Sequence, residues 1–446
     1  MAVQWEKEMM DLLGEGGFVL DPATKSKLSK DYYWYSPVLD EKLKDKLAEG
    51  VVIPVNEEEV VAILSCAYRH LIPVTVRGGG TGNYGQAVPL TGGVVMALHK
   101  MNRILEIGDG FARVQCGVKL GVLEKELRAA GHELCIYPST YMKATVGGFV
   151  SGGSGGIGSI SWGNLWDGNV LEAVVYTMEE HPRKLKVAGE ELLNYIHSYG
   201  TTGIVTELTL RTSKRTEWVQ SLVQFDDLTS AMLFSEKLCQ DPGIRKRLVS
   251  TVEWPIPSYF LPFAQHVEEG SAAVLLETEE GTLPSVTAYA EASGGQIKHV
   301  IPADNYHQTL GLSDFTWNHT TLWAIKADPK LTYLQCAFSP TFYLKQIEDI
   351  KRQYPDGVYL HFEWVLSGGK LMPAALPVVR YQSEEHLYEM IAFFESLGVR
   401  INDPHTFVLN YGSRGAYERM LSAKQANDPR VLLNPGKMNV KPIFGE

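Results

Sequence analysis

The sequence has no CxxC pair, no run of about 18 apolar residues and no excess of basic charge, and each absence removes a class of function. Its five cysteines, Cys66, Cys116, Cys135, Cys239 and Cys336, are widely separated. Zinc and iron–sulfur sites therefore lack their usual ligand spacing, and the odd count argues against a disulfide framework, which makes a reducing cytoplasm the expected setting. No membrane-spanning helix is expected, and Met1 to Met10, which carries Glu6, Lys7 and Glu8, lacks the apolar core of a signal peptide. The formal net charge is −11. Lys and Arg are dispersed, and the longest basic cluster, Arg211 to Arg215, reads as a solvated linker, so nucleic acid is not an expected partner.

Two common nucleotide signatures are also missing. The segment Arg77 to Gly92, RGGGTGNYGQAVPLTG, is not followed by Gly-Lys-Ser/Thr, so it is not a Walker A loop. Asn83 stands where the third glycine of a dinucleotide fingerprint belongs, and Asn83 to Pro89 is a poor helix start, which removes most of the support for a NAD-binding dehydrogenase.

What is present is an ordinary globular composition, 45% hydrophobic and 21% charged, spread over 446 residues, a length that suits two or three domains. Val51 to Val55 reads as a strand. Asn56 and Glu59 resemble a helix N-cap box opening a helix to about His70, and Pro73 to Arg77 is a strand that feeds the first glycine-rich loop. Strands at Val94 to Leu98, Ile104 to Ile107 and Ala112 to Val118 precede a helix from about Leu120 to Ala130. Further strands are expected at Val170 to Thr177 and Ile204 to Arg211. Strands following strands argue against a purely doubly wound parallel sheet. From about Thr212 a strand-then-helix rhythm takes over. Trp218 to Phe225 leads to a helix near Leu228 to Leu238, and Val358 to Leu366 precedes one near Glu384 to Leu397, a spacing that suits an antiparallel sheet with helices on one face.

Consecutive glycines can turn several N–H groups toward one point without side chains in the way, so the first loop is a candidate pyrophosphate cradle. The second glycine-rich segment, Ala144 to Gly163 (ATVGGFVSGGSGGIGSISWG), is punctuated by apolar residues that a solvated linker would not need. Close approach of backbone to a large flat ligand explains the mixture. The same segment satisfies GxSxG with Ser154 as nucleophile, but a hydrolase elbow needs a strand-to-helix turn that the surrounding glycines do not support.

Taken together, Ile53 to Glu59, Pro73 to Gly82, Pro138 to Gly163, Gly203 to Leu210 and Leu433 to Lys437 resemble, in order and spacing, the vanillyl-alcohol oxidase (PCMH-type) family of FAD-binding oxidoreductases. Within it they are nearest the FAD-linked D-lactate dehydrogenase and glycolate oxidase subunit branch. The resemblance implies an α+β fold: a two-subdomain PCMH-type FAD-binding domain plus an α+β cap domain with an antiparallel sheet. The divisions would be 1–50 packing on the FAD domain, 51–212 the FAD domain, 213–400 the substrate or cap domain, and 401–446 a segment returning to the FAD domain. It implies that Arg77, Gly78, Gly79, Gly80, Thr81, Gly82 and Gln86 lie at the pyrophosphate. Pro138, Ser139, Thr140, Thr145, Gly148, Gly155 and Gly158 would line the ribityl chain and flavin, and Ile204 and Val205 would present backbone to the cofactor. Thr81 stands where covalently flavinylated relatives often carry His, so the FAD is expected to be non-covalent.

In the cap the pattern departs from that branch, whose relatives carry a His-Gly-Asp-Gly-Asn-x-His run and a Glu-His-Gly. Here the first region reads Tyr359 to Trp364, keeping His361, and the second Asn402 to Thr406, where Pro404 replaces the glutamate before His405. No metal is therefore expected. His361 and Glu363, two apart on a strand, should share a face. His405 is the expected catalytic base, with His361 orienting substrate, Glu363 polarising His361 and Asn410 donating a hydrogen bond to the substrate. The expected activity is oxidation of a small hydroxyl-bearing substrate, a 2-hydroxy acid before an alcohol or sugar, by hydride transfer to flavin N5. A flavin-binding or electron-relay subunit without chemistry of its own is the alternative. The electron acceptor, whether oxygen, quinone or a protein carrier, stays open, as does the oligomeric state, for which a homodimer is one option.

Overall fold

The computed structural model describes residues 4–409 and 417–442. Asn410 lies outside them. The first layer is a four-stranded sheet ordered Phe18–Val19, Gly50–Val52, Val94–Ala97, Val74–Arg77, in which the last three strands run parallel. Parallel neighbours need a crossover, and the helix Glu57–Arg69 supplies one. Asn56 starts that helix as its sequence suggests, its side chain accepting the Glu59 N–H at 2.8 Å. Val60, Ile63, Leu64 and Ala67 form the helix's buried stripe against Val74, Val94 and Met96 of the sheet.

The second sheet is antiparallel. It is ordered Ile104–Gly108, Phe111–Gln115, Ile204–Lys214, Val170–Tyr176, Lys184–Ala188, with His132–Leu134 also paired to Ile204–Lys214. Leu120–Ala129 is the helix expected there.

The cap is built on an eight-stranded antiparallel sheet that includes Trp218–Phe225, Lys246–Val252, Ala272–Glu279 and His361–Ser367. Helices Leu228–Gln240, Tyr343–Gln353 and Glu384–Ser396 bury Phe234, Ile350 and Phe394 against one face. The opposite face, which sequence periodicity leaves unassigned, is covered by Ile256, Phe260, Phe315 and Ala324 from the intervening loops and the helix Asn318–Ala327. Both faces of its central strands are thus dry, which is why Trp218–Phe225 and Lys246–Val252 read as continuous buried runs.

The C-terminal residues return to the first sheet. Leu433 bridges Val74, and Asn434 donates to the carbonyls of Gln86 and Tyr199, each at 2.8 Å. No helix of the described residues is long and apolar enough to cross a membrane.

Candidate functional site: a cleft between the glycine loops and the cap

The strand Val74–Arg77 ends in Gly78, and the chain passes directly beneath the second glycine segment. At Gly79 an added Cβ would fall on the Lys143 carbonyl oxygen. At Gly80 φ is +63°, and the Arg77 guanidinium occupies the space a side chain would need. Arg77 itself is turned away from the loop's open side, donating to the Lys30 carbonyl at 2.6 Å. Thr145 caps the short helix Val146–Gly152, its hydroxyl accepting the Gly148 N–H at 3.2 Å. The two loops are therefore fused by close backbone contact, and glycine is required for that contact as much as for any ligand.

Together they floor a cleft of about 1420 Å³, its open mouth included. Its lining runs from both glycine loops across to the cap, an extended shape that suits a dinucleotide. Gly78, Gly79, Gly80, Thr81, Gly82 and Gln86 line it, as do Pro138, Ser139, Thr140, Thr145, Gly148, Gly155 and Val205. Arg77, Gly158 and Ile204 do not. Gly158 is packed against the Cys135 carbonyl and Ile204 sits in the core of the first layer. The facing wall comes from the cap as Trp317, Asn318, Gln335 and Leu376, and from the N-terminal segment as Asp31, Tyr32 and Tyr35. Among the lining residues, Gln86 Oε1, Trp317 Nε1 and Asn318 Oδ1 are buried without a protein partner. Buried polar atoms of this kind are normally satisfied, so the cleft has donors and acceptors to offer a polar, elongated guest.

Residues 48–181 match the family model described as an FAD binding domain. The chain is 26% identical over 431 residues to the glycolate oxidase subunit GlcD of Bacillus subtilis, covering 89% of this chain and 90% of that protein. It is 33% identical over 172 residues to a D-lactate dehydrogenase of Archaeoglobus fulgidus, covering 36% of this chain and 38% of that one. The chain carries the FAD-binding domain of the FAD-linked oxidoreductases. A solved alkyldihydroxyacetonephosphate synthase shares the fold, with a TM-score of 0.75 at 15% identity over 98% of this chain and 86% of that one.

The FAD cleft does not receive every residue that sequence reasoning aimed at it. His361 and Glu363 do share a face, with Nε2 and Oε1 2.8 Å apart, but that face is buried behind the cleft wall. Glu363 Oε1 accepts the Ser250 hydroxyl at 3.0 Å and the Trp317 backbone N–H at 2.7 Å. Trp317 is thereby held at φ +53°, a conformation costing a bulky residue about 1–3 kcal/mol. His405 is likewise inside the fold. Its Nε2–H donates to the Tyr333 carbonyl at 2.9 Å and its Nδ1 accepts the Ser36 hydroxyl at 2.7 Å, while burial pushes its pKa down to about 4. Both nitrogens are occupied and the ring is neutral, which is the placement of an anchor between the N-terminal segment and the cap.

His361, Glu363, Asp403 and His405 are not gathered at one point. Among the described residues the one group with metal-ligand proximity is Glu8, Cys66 and His70, away from the cleft, where Glu8 already pairs with Arg69 and His70. Ser154 follows the helix Val146–Gly152, so it lacks the strand-to-helix elbow of a hydrolase nucleophile.

Sequence reasoning missed the aromatic and amide residues of the facing wall, together with His197 and Tyr199. The clustered Tyr32 to Tyr35 was the one local signal for the N-terminal contribution. Asp31 binds this segment to the first loop, its carboxylate accepting the Tyr33 and Ala87 N–H groups at 3.1 Å each, and burial raises its pKa.

Proposed function

We propose that this FAD-linked oxidoreductase oxidises a small substrate at a hydroxyl-bearing carbon, with a 2-hydroxy acid as the favoured class. The observation that carries the reading is the cleft in which the backbone cradle faces a side-chain wall from the cap. The names of the relatives support the substrate class. Bound FAD would supply the hydride-accepting chemistry. The chain's own contribution divides along the cleft. Gly78 to Gly82 would hold the pyrophosphate, and Pro138 to Thr140, Thr145, Gly148 and Gly155 would flank the remainder of the cofactor.

On the facing wall, Trp317 and Leu376 would exclude water, while Asn318 and Gln335 would orient a polar substrate. His361 and Glu363 act here as positioning residues that fix Trp317, and Arg77 fixes the floor through Lys30. The FAD domain then corresponds to about residues 51–212 and the cap to about 213–400, with Asp31, Tyr32 and Tyr35 at the cleft and Leu433 and Asn434 packed beside the first sheet and loop. Five cysteines without disulfide partners suit a reducing cytoplasm.

The test is anaerobic mixing of the purified protein with glycolate, D-lactate and larger 2-hydroxy acids, followed at the flavin's visible band. Bleaching by a 2-hydroxy acid is expected. Bleaching only by neutral alcohols or sugars would move the substrate class, and none by any hydroxyl compound would favour the electron-relay subunit.

A further inference from the structure

The cap meets the FAD domain at a second point besides the facing wall. Between the strand Gln296–Ile301 and the short helix Leu312–Phe315 the chain turns through Tyr306 and His307, and His307 adopts left-handed backbone at φ +57°. A non-glycine residue stays in that region where its surroundings over-determine it. The His307 ring lies between two phenols of the FAD domain, with Nδ1 2.8 Å from the Tyr141 hydroxyl and Nε2 3.2 Å from the Tyr137 hydroxyl. Those two tyrosines bracket Pro138, Ser139 and Thr140, all three of which line the cleft. The bracketed turn is closed by the Tyr141 N–H, which donates to the Pro138 carbonyl at 2.9 Å. It is fixed to the second glycine segment by the Tyr137 N–H, which donates to the Ile157 carbonyl at 3.1 Å. One side chain of the cap thus holds both ends of a cleft-lining turn.

The ring is held by chemistry as well as by shape. Burial, with Arg247 and Arg128 nearby, pushes the His307 pKa down to about 3, so the imidazole is neutral and has one N–H and one lone pair to share. One phenol therefore donates to the ring and the other accepts from it. Behind the ring, the Tyr137 hydroxyl meets the Tyr306 hydroxyl at 2.7 Å. The Arg247 guanidinium lies 4.7 Å over the Tyr137 ring and donates to the Tyr306 hydroxyl at 3.2 Å. Tyr137, Tyr306 and Arg247 are all buried, and buried hydrogen-bond networks rigidify what they hold. We propose that His307 is a positioning residue through which the cap sets the turn Pro138 to Thr140 against the cofactor, so that cap docking and FAD binding reinforce each other. The role rests on the cofactor placement proposed above.

The experiment uses the full chain with and without FAD, following hydrogen exchange of the cap segment 302–311 and the affinity for added FAD in wild type, Tyr137→Phe, Tyr141→Phe and His307→Asn. Each phenylalanine keeps the ring and removes one hydroxyl, and asparagine tolerates left-handed backbone while being too short to reach both phenols. FAD is expected to slow exchange of 302–311 in the wild type. Each variant is expected to bind FAD roughly 3- to 10-fold more weakly and to lose most of that protection. Adding Tyr141→Phe to His307→Asn is expected to cost less than it does alone, because the two share one hydrogen bond. The phenylalanine variants carry the test should His307→Asn fail to fold. Wild-type FAD affinity in both of them, or protection of 302–311 by FAD that is absent in the wild type or undiminished in the variants, would overturn the role of His307 and leave the FAD site standing. Wild-type protein that takes up no FAD would overturn the cofactor placement and the role together.

Discussion

The floor of the cleft presents backbone, from Gly78 to Gly82 and from Thr145 to Gly155, whereas the facing wall presents side chains, Trp317, Asn318, Gln335 and Leu376, braced from behind by Glu363. The floor is rigid because two loops touch too closely for a Cβ. The wall is rigid because a buried carboxylate holds a strained backbone amide. A backbone surface recognises what all FAD-binding relatives share, and a side-chain surface can change with the substrate. That division is consistent with a family-model match confined to residues 48–181.

Breaking the floor should have the largest effect. Gly79→Val places a branched side chain on the Lys143 carbonyl and separates the loops. Flavin content, read as the visible-to-280 nm absorbance ratio, is expected to fall at least about tenfold, since strain of the order of 1–3 kcal/mol adds to the lost cradle. Near-normal flavin content would mean that the floor tolerates separation.

The clamp joining the N-terminal segment to the cap can be probed by pH. His405 titrates near 4 in the folded protein because of burial, against about 6.5 when exposed. Between those values the unfolded chain binds more protons, so the stability His405 contributes is complete above about pH 6.5 and lost as the pH falls toward 4. The loss is on the order of 3 kcal/mol. His307, held near 3, and His319, near 4, act in the same direction. Denaturant unfolding of wild type and His405→Gln across this range is expected to show a shallower acid decline in the variant. Equal slopes would place the clamp's stability elsewhere.

Loosening the wall should cost turnover and spare the cofactor. Glu363→Ala leaves the Trp317 N–H without its acceptor, a loss of about 1–3 kcal/mol. Flavin reduction is expected to slow about 10- to 100-fold at unchanged flavin content. Glu363→Gln, which keeps an acceptor oxygen, should recover most of the rate. Loss of FAD in Glu363→Ala would erase the distinction between the two surfaces.

The floor was legible in the sequence because its information is local. Glycines following a strand at Arg77, and Thr145 three residues before Gly148, encode conformation without reference to distant residues. The alternation in His361–Ser367 likewise placed His361 and Glu363 on one face, but alternation says nothing about which face is dry, and the loops around Phe315 cover it. His197 could not be found by pattern. Its place in the cleft lining comes from contacts with the Gly153 and Val150 carbonyls and from a backbone at φ +55°. His405 looked like a base because it follows a proline in a loop, and only the Ser36 and Tyr333 contacts show its lone pair and proton to be already committed.

The central claim, that the cleft holds dissociable FAD, is tested most directly by acid precipitation of the purified protein and fluorescence of the supernatant against an FAD standard. About one FAD per chain released into the supernatant is the expected result. A colourless protein that takes up no added FAD would contradict the account, and flavin that stays with the precipitate would contradict its non-covalent part.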